Sequence, residues 1–122
     1  MGCGKISGLL VSFAAFAFPL PGKAEVDETV QSLLERCAGD EALGTAYCIG
    51  FVRGISGAML LNCMASQDGF VVPEKATADL TEATVGATIQ AFVNWAEQHP
   101  EEWNAPQFFG VIYALSSTFP CE

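Results

Sequence analysis

The pattern of apolar positions changes near residue 24. From Leu9 to Phe18 they run almost unbroken, whereas from Val26 onward they recur at helical spacing. Val26, Val30, Leu33, Leu34 and Cys37 stand at i, i+4, i+7, i+8 and i+11, one stripe of an amphipathic helix with Glu28 and Glu35 outside it. Ala38-Gly39-Asp40 ends that helix, and Asp40 is placed to cap the next, with Glu41 in its first turn. A second helix is predicted over residues 41–61, with Cys48, Phe51, Val52, Ile55 and Met59 as its core stripe. Residues 62–78 have no helical period; Asp68-Gly69 marks a turn and Pro73 a break. Connections in small bundles usually run about two to eight residues, so this one reads either as a functional loop or as a lid whose Phe70 and Val72 cover the core. Asp79 and Glu82 resemble a capping box ahead of a third helix carrying Val85, Ile89, Phe92, Val93 and Ala96 inward. His99-Pro100 ends it. Pro100-Glu101-Glu102 opens a fourth helix, whose regular part starts after Asn104 if Pro106 splits the opening turn. Phe108, Phe109, Ile112, Leu115 and Phe119 then face inward. No segment alternates with period two for long. The expected fold is all-α, a small four-helix domain.

Gly50, Gly54 and Gly57 fall together on another face of the second helix. Each glycine costs a helix about 1 kcal/mol relative to alanine, so three imply close approach by another backbone, within the fold or across a dimer. No strand precedes them, which argues against a phosphate-binding loop.

The apolar run near the N-terminus has a different meaning. A basic start at Lys5, about a dozen apolar residues and small residues at Gly22 and Ala24 describe a secretory signal peptide over residues 1–24. Pro19 and Pro21 interrupt the run before the roughly 20 residues a membrane span requires. Cys3 sits at the wrong end of the run for a lipid anchor, and Ile6 stands where N-myristoylation needs Ser or Thr. The expected mature domain is residues 25–122, located in the periplasm. Cleavage removes Lys5 and Lys23 and leaves three basic against 14 acidic side chains, net −11. Such a surface repels nucleic acid and anionic membranes, and it steers the protein toward a basic partner.

Cys37, Cys48, Cys63 and Cys121 remain after cleavage, an even number in a short exported domain. Neither zinc-ligand spacing nor a C-x-x-C redox motif is present among them. Two disulfides are therefore expected, with three pairings open. An up-down bundle places Cys63 at the far end of the second helix, where the fourth helix returns Cys121, and leaves Cys37 for Cys48. Loop-closure entropy assigns these two bridges about 3 and about 4 kcal/mol.

The sequence offers little catalytic chemistry. His99 is the only histidine and lies at a helix boundary, and no serine or cysteine has the context of an activated nucleophile. Glu101 and Glu102 are adjacent, so on a helix they point about 100° apart and serve its dipole rather than one cleft. An enzyme is not expected, and neither a cofactor nor a metal is called for.

Tyr47-Cys48-Ile49-Gly50-Phe51-Val52-Arg53-Gly54 resembles the YCxGYxxG motif of the Rap/Tai-type immunity proteins of bacterial type VI secretion systems. Cys37 upstream, His99-Pro100-Glu101 and the terminal Phe119-Pro120-Cys121 match that family in the same order, so the resemblance spans residues 37–121. One departure lies after Cys63, where the family commonly has proline two residues on; here Met64-Ala65 follow and proline is delayed to Pro73. The resemblance implies a small helical exported protein, often dimeric, that binds and inhibits a peptidoglycan amidase delivered by rival cells. Its partner would be that protein effector, with Asp68, Gly69 and Phe70 of the altered loop as candidate contacts. The alternative is a periplasmic stress or chaperone-like helical binding protein, for which His99 would be the acid-sensing group.

Overall fold

The computed structural model describes residues 28–122. The signal-peptide reading, the boundary at residue 25 and Val26 of the first stripe lie outside the described residues. Four helices form the domain: α1 (Val30–Ala38), α2 (Ala42–Gln67), α3 (Val85–Gln98) and α4 (Gln107–Thr118). Single 3-10 turns lie at Glu74–Ala76 and Pro100–Glu102. Helix α1 packs against each of the other three, around Val30, Leu33 and the fully buried Phe92.

Each helix end has a local cause. At α1, Thr29 accepts a hydrogen bond from the Ser32 amide at 3.2 Å, and Ser32 Oγ accepts one from the Thr29 amide at 3.0 Å. This reciprocal box uses Ser32 where Glu or Gln is usual. The segment before it is tied to the start of α4: the Val30 amide donates to Ala105 O at 2.9 Å, and the Gln107 amide to Glu28 O at 2.8 Å.

Asp40 does not cap α2. The N-cap position is Glu41, and no side chain bonds to the free amides there. Helix α2 also runs past the expected end at residue 61 to Gln67. Met59 and Cys63 are both buried, so the core stripe simply continues by one more step of four. Residues 62–67 are therefore helix, and the connection to α3 is correspondingly shorter.

The expected capping box at Asp79 is also absent. Asp79 accepts from the Thr81 hydroxyl at 2.7 Å and its amide at 3.3 Å, closing a local turn, and Thr84 caps α3 by accepting from the Ala87 amide at 3.1 Å. The Thr81 bonds, the hydroxyl's first, hold the Asp79 carboxyl below its ordinary pKa. Inside α3, Phe92 and Ala96 are buried as expected, but Thr88 and Ala91 join them while Val85 is exposed.

Helix α4 departs most from the expected inward face. After the 3-10 turn at Pro100, regular helix begins only beyond Pro106. Its buried face is Gln107, Gly110, Val111, Ala114 and Leu115, while Phe108 is half exposed. The reason is steric. A Cβ at Gly110 would lie 2.9 Å from Val30 Cγ2, 3.0 Å from Phe92 Cε2 and 3.2 Å from Trp95 Cζ3. The small side of α4 turns inward so that it can approach α1 and α3, and the aromatics move to its flanks. There Phe109 and Tyr113 pack at 4.2 Å between centroids.

Candidate functional site

Two disulfides fix the ends of α2. Cys37 is bonded to Cys48 with Cα atoms 5.2 Å apart, and Cys63 to Cys121 with Cα atoms 5.7 Å apart. The first ties the end of α1 to the early turns of α2. The second ties the last turns of α2 to the chain's C-terminal segment.

Just beyond the second bridge, the chain leaves α2 through a compact stop. The Asp68 amide donates to Met64 O and Ala65 O, both at 3.1 Å, and the Phe70 amide donates to Ala65 O at 3.0 Å. Gly69 takes φ +93°, a left-handed conformation that costs glycine nothing. Phe70 and Val71 then stand out from the surface, at 69% and 102% relative exposure. Phe70 is thus no lid over the core; Val72 alone of the pair is partly buried. The tip is anchored further on, where Asn62 Nδ2 donates to Ala76 O at 3.0 Å. The three residues picked out in the sequence, Asp68, Gly69 and Phe70, occur together on this exposed turn.

Gly50, Gly54 and Gly57 do not pack within the fold. A Cβ added at any of them would meet nothing within 4 Å, and all three are exposed. They belong to a long outer face of α2 on which Leu43, Leu61 and Met64 are also exposed, at 78%, 66% and 51%. Across the whole helix Arg53 is the only charged residue. By length and composition α2 could span a bilayer, and 22% of its most apolar 18-residue stretch is buried.

The motif residue Tyr47 has a structural task that the sequence did not reveal. Its hydroxyl accepts from the buried Gln107 Nε2 at 2.7 Å, while the Arg36 guanidinium lies 4.2 Å from its ring centroid. Tyr47 therefore joins α2 to α4 and covers the end of α1. Gln107 had no sequence signal, because a polar residue at a helix start ordinarily reads as solvated. His99 is held against the protein: its ring stacks on Trp95 at 4.5 Å and Nδ1 bonds to the Trp95 carbonyl at 2.7 Å. Trp103 Nε1 donates to Ala96 O at 2.8 Å, which fixes the turn carrying Glu101 and Glu102. Among the described residues no cluster of three or more His, Cys, Asp or Glu side chains could hold a metal ion.

No curated protein and no solved structure matches the chain. Residues 29–121, however, match the family described as Rap1a immunity proteins, a span that takes in all four helices and both disulfides. The chain belongs to the Rap1a immunity protein family.

Proposed function

We propose that this member acts in the periplasm after signal cleavage, where it binds and blocks a peptidoglycan amidase delivered by a type VI secretion system. The observation that carries the mechanism is the exposed Phe70–Val71 tip on a hydrogen-bonded base beside the Cys63–Cys121 bridge. A projecting segment whose base is already ordered loses less conformational entropy on entering a cleft. A large aromatic at its tip is the usual type of anchor. The acidic surface supports the same reading, because it accelerates encounter with a basic enzyme.

The test is binding and inhibition of a purified peptidoglycan amidase delivered by a type VI secretion system. Phe70→Ala should weaken binding by about 2 kcal/mol or more, and Asp68→Ala by less, with helical circular dichroism unchanged in both. Full affinity in both variants would remove the loop from the mechanism. The signal peptide is tested separately by N-terminal sequencing of periplasmic protein, expected to begin at or near Glu25.

Homodimerisation is a further part of the proposal. Three helical glycines with no contact of their own, set between exposed leucines, suit the close crossing of a second α2. Sedimentation of the mature protein should give twice the protomer mass, and replacing Gly54 with a bulky residue should halve it.

A further inference from the structure

On the α3 side of the same helix face lies a groove of about 150 Å³, walled by Arg53, Ser56, Gly57 and Leu60 of α2 and by Leu80 and Val85 across from them. Its size decides what it can take. Small-molecule sites usually enclose about 300–1,000 Å³, whereas a cavity of about 150 Å³ accepts one benzene-sized group. The groove therefore suits a single side chain.

Its walls are apolar apart from Thr88, whose hydroxyl donates to Val85 O at 2.7 Å, and two further polar exceptions. The Ser56 hydroxyl is shielded from solvent and has no hydrogen-bond partner. An unmet buried hydroxyl is costly. Arg53 is the second exception. The described residues include three basic side chains, of which Arg36 lies over Tyr47 and Lys75 over Tyr113. Arg53 has neither a ring nor a carboxylate partner among the described residues. It is an unengaged cation at an apolar groove, on a helix with no other charge.

We infer that this groove is an anchor pocket for the effector, receiving one apolar side chain with a neighbouring carboxylate that pairs with Arg53. The inference rests on the reading that the chain binds a protein effector, and it adds a second contact point away from the Phe70 tip. Charge complementarity selects the occupant. The acidic surface as a whole attracts a basic enzyme, while Arg53 at the groove reads one local acid and so sets register rather than encounter.

Two variants test it on the mature protein, with a purified peptidoglycan amidase of a type VI secretion system as probe. Arg53→Glu reverses the charge and should weaken binding about 100-fold. Ala83→Leu fills the groove from the side opposite α2 and should weaken it at least about 10-fold. Neither Arg53 nor Ala83 is fully buried, so both variants should keep the helical circular-dichroism signal. Undiminished affinity in both variants, with Phe70→Ala still impaired, would overturn the pocket and leave the inhibitory loop standing. Loss of affinity accompanied in both variants by a change of sedimenting mass would also overturn it, in favour of self-association. A wild-type protein that binds no such hydrolase would overturn the functional reading and the pocket together.

Discussion

Gly110 in α4 and the three glycines of α2 are the same residue in the same backbone conformation, yet the fold uses them in opposite ways. At Gly110 a single added carbon would press on Val30, Phe92 and Trp95, so the missing side chain is what lets α4 approach α1 and α3. At Gly50, Gly54 and Gly57 an added carbon would touch nothing. Inside, glycine returns its helical cost as packing within the chain. Outside, no return is visible within the chain, and a surface that a partner or a second copy approaches closely is where it would lie. Gly110 belongs to the part of the molecule that holds itself together, and the three α2 glycines to the face on which we propose a second copy sits.

The largest effect should come from breaking the inner case. Gly110→Val inserts a branched side chain against fully buried neighbours and should destabilise by about 3 kcal/mol, the upper end for overpacking. For a domain of this size, thermal unfolding should then fall by more than about 10 °C. A smaller loss is expected from Tyr47→Phe, which leaves the buried Gln107 Nε2 without its acceptor. That should cost about 1–3 kcal/mol in chemical denaturation, and Gln107→Leu in the same background should recover part of it.

The outer case should respond with the opposite sign. Gly50→Ala and Gly54→Ala should each stabilise the isolated chain by about 1 kcal/mol, because alanine favours helix and meets no obstacle. At concentrations where the proposed dimer forms, the same two variants should lower the thermal midpoint instead, because the added methyl stands at the helix crossing.

The smallest effect concerns acid. The Asp79 carboxyl is held below its ordinary pKa of 3.8 by the Thr81 hydroxyl and amide, so its contribution to stability is fully present above that value. As pH falls through the lowered folded-state value the contribution is lost. Asp79→Asn should flatten this acid limb of the stability profile without moving stability near neutrality by much.

Much of the domain could be read from spacing alone. Helical periodicity located all four helices, and the position of Cys63 at the end of a long helix, opposite a returning C-terminus, sufficed to pair the cysteines. The motif around Tyr47 and the ordered cysteines led to the family. Errors gathered at caps and faces. Asp40 and Asp79 both have the right chemistry for an N-cap, but Asp79 is taken up by Thr81 and Asp40 makes no cap at all. Phe108 falls in one stripe with Ile112, Leu115 and Phe119, yet the helix instead presents Gly110 and Ala114 to the core.

What the sequence determined by itself was therefore local or one-dimensional: helix existence, the two turns at Gly39 and Gly69, the disulfide framework and the family. Periodicity and covalent spacing act along the chain, so a single sequence carries them in full. Tertiary structure decided which side of each helix is inside, whether a glycine is crowded or bare, and that Gln107 reaches Tyr47 across 60 positions of sequence. These depend on the distance between helix axes, which is set jointly by side chains on two elements and has no value for either element alone. The groove at Arg53 has the same origin. Its α2 wall is legible as a helix face, but the pocket exists only because Leu80 and Val85 close its other side.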